Sequence, residues 1–192
     1  MHKLPKTFYL KDNVLEISRD LLGKHIFTQI DNQLTGGVIT EVEAYAGISD
    51  RASHAFGNRR TQRNEIMYSS GGVAYVYLCY GIHHLFNIVT NTTGVPHAIL
   101  LRGIKPVQGI ETMLQRRNKQ KHDKTLTSGP GSVSQALGIK TILNGTDLTG
   151  NIIWLEEGGY KSDAIRIFAG PRIGVGYAGE DALLPYRFLL DI

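Results

Sequence analysis

Residues 37–45 read GVITEVEAY, an extended run with the composition of a β-strand. Successive side chains of a strand point to opposite faces of its sheet. One face of this predicted strand carries Ile39, Glu41, Glu43 and Tyr45, and the other carries Thr40, Val42 and Ala44. Two carboxylates therefore share a face with an aromatic ring. On a solvent-facing edge this arrangement is unremarkable, whereas beside a cleft it suits acid–base chemistry.

The sequence before this strand predicts a helix followed by a β-hairpin. Val14–Leu22 has the apolar periodicity of an amphipathic helix, which Gly23 closes. Lys24–Gln29 is a second extended run, and the polar residues Asp31–Gln33 separate it from the strand over residues 37–45. Two extended runs joined by a short polar turn are typical of antiparallel neighbours.

The sequence after residue 45 alternates between extended runs and helical segments. The predicted strands cover Val73–Cys79, Leu85–Thr90, Ala98–Arg102, Ile152–Glu156, Ala164–Phe168 and Arg187–Leu190. The predicted helices cover Pro106–Arg117 and Val133–Leu137, and Gly138 ends the second one. No fixed repeat and no flexible linker divides the chain. The pattern predicts an α+β fold in a single domain over residues 1–192.

Composition excludes several classes of protein. Hydrophobic residues make up 42% of the chain and charged residues 20%, a balance typical of globular proteins. The apolar runs fall well short of the roughly 18 residues that suggest a membrane helix. Met1–Lys6 carries two lysines with no apolar stretch after it, which predicts a cytoplasmic protein. Cys79 is the only cysteine, which excludes an internal disulfide and a thiolate zinc site.

Positive charge is concentrated in two segments of a chain whose net charge is +4. These segments are Arg59–Arg63 and Arg116–Lys124. Clusters of this kind suit the phosphates of a nucleic acid, and each could equally be a solvated face. The loop before the first segment holds Asp50 and His54, next to the strand with two carboxylates. Binding and catalytic residues concentrate on such loops.

Three tyrosines mark the predicted hairpin between Val73–Cys79 and Leu85–Thr90. Alternation places Tyr75 and Tyr77 on one face, and Tyr80 lies beside Gly81 near the tip of the turn. An aromatic stripe on a strand is most often core packing. Next to basic loops, the same stripe suits stacking against nucleobases.

Eight motifs follow one another along the chain. They are Glu41–Gly47; His54; Thr61–Asn64 with Met67; the tyrosines at 75, 77 and 80 followed by Gly81; Asn87; Leu100–Arg102; Ser128–Pro130 with Gln135–Leu137; and Arg172–Gly176. In this order they resemble the motifs of the alkyladenine (3-methyladenine) DNA glycosylase family, and the resemblance covers Phe8 to Phe188. Gln62 stands where that family often has proline, and His83-His84 gives the hairpin a more polar flank.

The resemblance implies a catalytic group and a base pocket. Glu43 matches the family's catalytic glutamate, Arg102 its water-positioning arginine, and Ile173 the residue whose main-chain carbonyl completes the site. Tyr45, His54 and Tyr77 match the pocket walls, and Asn87 matches a side chain that excludes guanine by crowding its exocyclic amino group. Glu41 is expected to be the structural partner of a nearby cation.

The resemblance also implies how DNA is held. Tyr80 matches the family's intercalating tyrosine. Arg59, Arg60 and Arg63 are the first candidates for contacts with the DNA backbone, ahead of Arg116 and Arg117. The implied fold is a curved, mostly antiparallel sheet flanked by helices, with a protruding β-hairpin.

The implied activity is base excision. An alkylated purine, or a deaminated one, is flipped out of double-stranded DNA, and water hydrolyses its N-glycosidic bond. No lysine falls at a matched nucleophile position, so the expected enzyme is monofunctional. No metal and no cofactor are expected, and a monomer without a membrane partner is predicted.

Three other readings stay open at this stage. Glu41 and Glu43 lie roughly 7 Å apart along a strand, at about 3.4 Å per residue, which also fits an inverting carbohydrate glycosidase. His54, His83 and His84 with a carboxylate could serve a metal-dependent hydrolase, although their spacing matches no usual metal motif. A nucleic-acid binding module, in which the tyrosines only stack, would bind without releasing a base.

Overall fold

The longest strand of the computed structural model forms the middle of an eight-stranded sheet. The structure describes residues 2–158 and 166–191. The strands are β1 (His25–Ile30), β2 (Gln33–Tyr45), β3 (Ala74–Cys79), β4 (His83–Thr90), β5 (His97–Gln108), β6 (Ile153–Glu156), β7 (Arg166–Gly170) and β8 (Arg187–Asp191). Their order is β3-β4-β5-β2-β1-β6, with β8 paired to β2 and β7 to β8. Every strand pair in this part of the chain is antiparallel.

Short helices cover the sheet and fill its connections. The α-helices are α1 (Lys6–Tyr9), α2 (Val14–Leu21), α3 (Ile110–Arg116) and α4 (Pro130–Leu137). Short 3-10 helices lie in the connections, at Gly47–Ser49, Phe56–Asn58, Glu65–Tyr68, Lys124–Leu126, Thr141–Leu143 and Gly176–Leu183. None of the helices within residues 2–158 and 166–191 has the length and apolar character needed to cross a bilayer.

The sheet curls because two strands share one edge of β2. β1 pairs with Gln33–Val38, β8 pairs with Glu41–Glu43, and β5 runs along the opposite edge. Gly36 and Gly37 allow β1 and β5 to lie close to β2. A Cβ on Gly36 would lie 2.2 Å from the Phe27 ring, and one on Gly37 would lie 2.6 Å from a main-chain carbonyl of β5. Any side chain there would push a neighbouring strand away.

A pair of β-bulges at the middle of β2 changes which side chains face the core. Ile39 pairs with Ile104 and Glu41 with Gly103, so Thr40 is an extra residue on β2; the register shifts again at Arg102 on β5. The predicted strict alternation is therefore wrong at Ile39, which joins the hydrophobic core on the side of Val42 and Ala44. A bulge re-aims side chains in this way because the added residue reverses the alternation.

The hydrophobic core lies between the sheet and helices α2, α3 and α4. Its largest fully buried side chains include Tyr9, Ile17, Phe86 and Phe188. Helix α2 begins after Asn13, whose side-chain oxygen accepts hydrogen bonds from the main-chain N–H groups of Leu15 and Glu16 at 3.0 and 3.2 Å. An N-cap of this kind stabilises a helix by about 1 kcal/mol.

The helix predicted over Pro106–Arg117 is only half right. β5 continues to Gln108, and α3 begins at Ile110 after Gly109, whose φ is +68°. Pro106 is tolerated in the strand because β4 pairs only with residues 97–100 of β5, so Pro106 lies where β5 has a single partner, β2. The strand predicted over Ala164–Phe168 is found from Arg166 onward, and residues 164 and 165 lie outside the described part of the chain.

The hairpin of β3 and β4 projects from the end of the sheet. Its turn contains Tyr80 and Gly81 with φ values of +51° and +74°, and the Ile82 N–H donates to the Cys79 carbonyl at 3.1 Å. Two consecutive positive φ angles are the mark of a type I′ turn. The Tyr80 side chain is 92% exposed. The predicted fold class, a curved antiparallel sheet with flanking helices and a protruding hairpin, is confirmed.

Candidate active site and nucleic-acid interface

Glu43 lies at the point where β2 is flanked by β5 on one side and β8 on the other. Its neighbours in the sheet are Leu100 and Arg187. The carboxylate is fully buried, although charged groups are almost never buried without partners. Oε1 accepts a hydrogen bond from the Ile173 N–H at 2.7 Å, and Oε2 accepts one from the Tyr45 hydroxyl at 2.9 Å.

The surroundings of Glu43 raise its pKa. Burial disfavours the charged form and is the largest influence, while Arg102, the Ile173 N–H and the Tyr45 hydroxyl act in the opposite direction. A carboxylate with a raised pKa is a better proton acceptor than an exposed one, because basicity follows pKa. Burial thus gives this carboxylate the property that a general base needs.

Arg102 bridges the two glutamates. The register shift at Arg102 lets its side chain reach the Glu43 face, and its Nη1 lies 3.4 Å from Glu43 Oε1. Its Nε donates to Glu41 Oε1 at 2.8 Å, and Arg187 Nη1 donates to the same oxygen at 3.2 Å. Glu41 is therefore held by two arginines, as expected of a structural partner of a cation.

The segment that carries Ile173 is fixed by a buried ion pair that sequence reasoning missed. The Arg172 guanidinium binds the Asp50 carboxylate through both terminal nitrogens, one of them at 2.8 Å, and also donates to the Ala44 carbonyl at 2.9 Å. The family resemblance implies a role for the Ile173 carbonyl, whereas the observed contact with Glu43 is made by its N–H. The motif Arg172–Gly176 was the only available signal, and it does not reveal Asp50 as the partner.

All four residues predicted for the base pocket line a single cavity. Its walls are Tyr45, Ala52, His54, Met67, Tyr75, Tyr77, Asn87, Ala98 and Tyr177, and its free volume is about 40 Å³. Glu43 does not line this cavity, and the hydroxyl of Tyr45, a wall residue, donates a hydrogen bond to its carboxylate. Tyr75 and Tyr77 both line the cavity, as alternation along β3 predicts. Tyr177 was not predicted as a site residue.

His54 is held neutral in the pocket wall. Its Nδ1 lies 2.8 Å from the Tyr75 hydroxyl, and its ring packs edge-on against Tyr77 at 4.8 Å between centroids. Burial, assisted by the positive charges of Arg63 and Arg59, lowers the pKa of His54 to about 4. The imidazole is therefore uncharged near neutral pH, so it does not repel a cationic ligand.

The tyrosine hydroxyls of the pocket also stay uncharged. Burial raises the pKa of Tyr75 to about 12 and raises the pKa values of Tyr45 and Tyr77 as well. Asn87, which is buried on β4, donates from its amide nitrogen to the Tyr75 carbonyl at 3.1 Å, and this bond orients the amide. The cavity is a neutral, largely aromatic slot with one oriented amide in its wall.

A basic groove runs beside this cavity. Its walls include Arg51, Arg59 and Arg63, together with His54 and Tyr177, and its volume is about 510 Å³. Two of the three predicted backbone-contacting arginines therefore border the groove. Arg51 borders it too, although it was not singled out from the sequence.

Arg60 is the exception among the predicted arginines. Its guanidinium binds both carboxylate oxygens of Glu65 and lies 4.7 Å from the centre of the Tyr68 ring. Its charge is therefore compensated within the protein. Arg63 also donates to the Leu78 carbonyl on the hairpin at 3.2 Å, so it links the basic loop to β3.

The second basic segment has a structural role in the fold. Arg116 donates to the Ile30 and Ala136 carbonyls at 3.3 and 3.2 Å, and Arg117 donates to the Gln135 side chain at 2.6 Å. These bonds tie α3 to α4 and β1. A cavity of about 450 Å³ next to Arg116 is larger than the aromatic one, but its arginine is already used by main-chain carbonyls. We therefore place the candidate site at the aromatic cavity.

His83 and His84, beside the hairpin turn, make separate contacts within the protein. His84 Nδ1 accepts a hydrogen bond from the Thr141 N–H at 3.2 Å, and the His83 ring packs against Gly131. Across residues 2–158 and 166–191, no three histidine, cysteine, aspartate or glutamate side chains come together in a metal-binding arrangement. The metal-hydrolase reading therefore has no candidate ligand set in this part of the chain.

An aromatic cavity beside a basic groove, with a buried carboxylate bonded to one of its walls, has the chemistry of an enzyme that acts on a base of a nucleic acid. Comparison with known proteins agrees with this class. The chain belongs to the methylpurine-DNA glycosylase family, which it matches over residues 7–191. It is therefore a DNA glycosylase of base-excision repair, an enzyme that hydrolyses the N-glycosidic bond of alkylated bases.

Full-length relatives support this assignment. A protein of Chlamydia felis is 48% identical over 192 residues, covering 98% of this chain and 96% of the relative. A Desulfitobacterium hafniense protein is 39% identical over 198 residues, covering 100% and 96%, and a Bacillus thuringiensis protein is 42% identical over 195 residues, covering 97% and 95%. All three are named for 3-methyladenine DNA glycosylase.

Proposed function

We propose that this glycosylase flips an alkylated purine out of double-stranded DNA into the aromatic cavity and hydrolyses its N-glycosidic bond with Glu43 as the general base. A base inside the stack cannot present its sugar carbon to water, so extrusion must come first. The neutral rings of Tyr45, His54 and Tyr77 favour a purine that alkylation has made cationic, by about 0.5 to 2 kcal/mol for each cation–π contact.

In the proposed bond cleavage, Glu43 has two tasks. As the bond to the base lengthens, positive charge develops on the sugar, and a nearby carboxylate offsets it. The same carboxylate takes a proton from the attacking water, which makes the water nucleophilic. The base leaves uncharged, because it was cationic before the bond broke. Arg102 and the Ile173 N–H orient the carboxylate, and the Ile173 carbonyl is proposed to bind the water.

The proposed DNA contacts divide between the groove and the hairpin. Arg51, Arg59 and Arg63 hold phosphates, since phosphate contacts position a protein without reading sequence. Tyr80 inserts into the stack and fills the space that the flipped nucleotide leaves. Cytoplasmic location, a monomeric state, action on deaminated purines and strict monofunctionality stay predictions of the sequence analysis.

One observation carries the catalytic part of this proposal: Glu43 is a fully buried carboxylate with a raised pKa, and the Tyr45 hydroxyl alone joins it to the cavity wall. Glu43→Gln keeps the shape of the side chain and removes the base. We expect single-turnover base release from alkylated duplex DNA to fall by on the order of 100 to 10,000-fold, with little change in DNA affinity.

Glu41→Gln is the matched comparison, because Glu41 is held by Arg102 and Arg187 and has no proposed part in proton transfer. Near wild-type base release by Glu43→Gln would remove Glu43 from the mechanism. A comparable loss in Glu41→Gln and Glu43→Gln would instead favour the two-carboxylate glycosidase reading. Binding without base release by the wild-type protein would favour the binding module.

A further inference from the structure

The aromatic cavity is too small, as it stands, for the base that the proposed function assigns to it. Its free volume is about 40 Å³, whereas an engineered cavity that binds benzene, which has a single ring, measures about 150 Å³. A purine has two rings and needs more space than benzene. At least one wall must therefore move before a flipped base can enter.

Most of the walls are fixed by burial and hydrogen bonds. Tyr75 and Asn87 are buried on adjacent strands. The Tyr75 hydroxyl is hydrogen-bonded to His54, and the Asn87 amide donates to the Tyr75 carbonyl. Met67 and Ala98 belong to a buried hydrophobic cluster. Displacing any of these would disturb the sheet or its packing, and tightly packed interiors resist such changes.

Tyr177 is the one exposed side chain among the walls. Its side chain is 71% exposed, and its hydroxyl makes one hydrogen bond, to the Ala52 carbonyl at 3.0 Å. Its neighbours Val175 and Ala178 are buried in a small cluster with Ala52, which anchors the main chain on both sides. Rotation of the Tyr177 side chain can therefore open the cavity while the backbone stays in place.

The position of Tyr177 matches this role. It borders both the aromatic cavity and the basic groove, as His54 does, and it is the more exposed of the two. Its hydroxyl binds the carbonyl of Ala52, which also lines the cavity. Tyr177 is therefore the exposed side chain on the boundary between the two spaces.

We propose that Tyr177 is the movable wall of the base pocket and determines how large a lesion the enzyme accepts. This inference rests on the proposed function. The side chain swings aside when its bond to Ala52 breaks, and its ring then closes against the outer edge of the base. Because the buried walls are fixed, an alkyl group that prevents this closure is selected against, and a methyl group is not.

The test uses two duplexes that carry the same purine with a methyl group or with a benzyl group on the same ring nitrogen. Single-turnover base release from both is measured for the wild type, Tyr177→Ala, Tyr177→Phe and Leu183→Ala. Leu183 is a matched control, because it is equally exposed in the same segment and does not line the cavity. A fluorescent purine analogue, quenched in the stack, reports the rate of flipping separately.

We expect Tyr177→Ala to reduce the methyl-to-benzyl rate ratio at least tenfold. Tyr177→Phe keeps the ring and should keep the ratio, but the loss of the bond to Ala52 should speed the fluorescence rise severalfold. Leu183→Ala should match the wild type in both measurements. An unchanged ratio in Tyr177→Ala, or an unchanged flipping rate in Tyr177→Phe, overturns the proposal.

Two controls keep the result interpretable. If Tyr177→Ala unfolds, the flipping rate of Tyr177→Phe still decides whether the bond to Ala52 holds the wall shut. If the wild type releases neither base, the proposed function fails, and this outcome differs from wild-type release with an unaltered ratio in Tyr177→Ala. Thermal unfolding of each variant checks that the fold is intact.

Discussion

At the scale of single residues, Glu43 and His54 show that burial shifts the pKa values of an acid and of a base in opposite directions. Burial raises the pKa of Glu43 and lowers that of His54 to about 4, because it disfavours whichever form is charged. Both shifts favour neutral side chains. Near neutral pH, however, His54 has no charge to lose, whereas Glu43 must be ionised to act as a base.

This contrast predicts the pH dependence of base release. A general base works in its deprotonated form, so the single-turnover rate should rise with pH through the raised pKa of Glu43 and then level off. The midpoint should lie above the 4.5 of an ordinary glutamate. His54→Gln should leave this midpoint in place, since His54 is already neutral there; a midpoint that moves with His54→Gln would assign the titration to the histidine.

The Arg172–Asp50 pair is a second residue-scale feature with a measurable consequence. Removing one partner of a buried ion pair leaves the other charge without compensation, which typically costs 3–5 kcal/mol. Asp50→Asn should lower the free energy of unfolding by about that amount and should slow base release, because Arg172 no longer holds the Ile173 N–H against Glu43.

Asp20→Asn serves as the control for this prediction, since Asp20 forms an exposed ion pair with Lys11. Exposed pairs contribute about 0–1 kcal/mol, so this variant should be close to wild type in both stability and activity. Chemical denaturation measures the stability of the two variants. Equal stability of Asp50→Asn and Asp20→Asn would contradict a supporting role for the buried pair.

At the scale of secondary-structure elements, the β3–β4 hairpin has a tyrosine at a turn position where the backbone favours asparagine or glycine. Tyr80 has a φ of +51°, and left-handed backbone costs a typical L-residue roughly 1–2 kcal/mol. The ring gains no packing in return, since it is 92% exposed. Backbone strain that no packing contact offsets is typical of functional positions.

Tyr80→Asn should therefore separate folding from function. Asparagine tolerates left-handed backbone, so stability should stay constant or rise by up to about 1 kcal/mol. The flipped population on damaged duplex should fall about 10- to 100-fold, since base stacking contributes roughly 1–3 kcal/mol. Tyr80→Phe keeps the ring and should flip normally. If Tyr80→Asn flips the base like wild type, the hairpin does not carry the wedge.

The elements also show what sequence reasoning can and cannot supply. Alternation and turn residues located most strands because those signals are local. Pro106 predicts the start of a helix, whereas its place in β5 depends on the absence of a second neighbouring strand at that point, which the local sequence does not reveal. The bulge at Thr40 left no local mark, so the side of Ile39 was predicted wrongly.

The residues of the candidate site were likewise predictable only in part. The motifs supplied Tyr45, His54, Tyr77 and Asn87, which line one cavity, and the pair Glu43 and Arg102, which are in contact. They did not supply Asp50, because its contact with Arg172 spans 122 positions and has no characteristic spacing. Tyr177 was missed because a single tyrosine outside a strand or an amphipathic helix carries no periodic pattern.

At the scale of the whole molecule, the charge distribution predicts how DNA affinity responds to salt. Each phosphate contact made by a basic side chain contributes about −0.9 to the slope of log affinity against log salt concentration. Arg59→Gln should reduce the size of this slope by about 1. Arg60→Gln should change it little, because Glu65 already neutralises Arg60.

Fluorescence anisotropy of labelled duplex at several salt concentrations measures both slopes. Affinities for undamaged duplexes of different sequence should be similar, since phosphate contacts carry no sequence information. A wild-type affinity that does not depend on salt would argue against the groove as the DNA-binding surface. Equal slope changes in the two variants would argue against the pairing of Arg60 with Glu65 in solution.

The pairing of β8 with the middle of β2 also determines when the enzyme can become active during its synthesis. Arg187 is the sheet neighbour of Glu43, and the Ile173 N–H donates to the same carboxylate. Because a ribosome makes the chain from its N-terminus, both residues are made after the β3–β4 hairpin and after Arg51, Arg59 and Arg63. A nascent chain that has not reached residue 173 therefore carries most of the residues proposed to hold DNA but lacks two neighbours of the proposed general base.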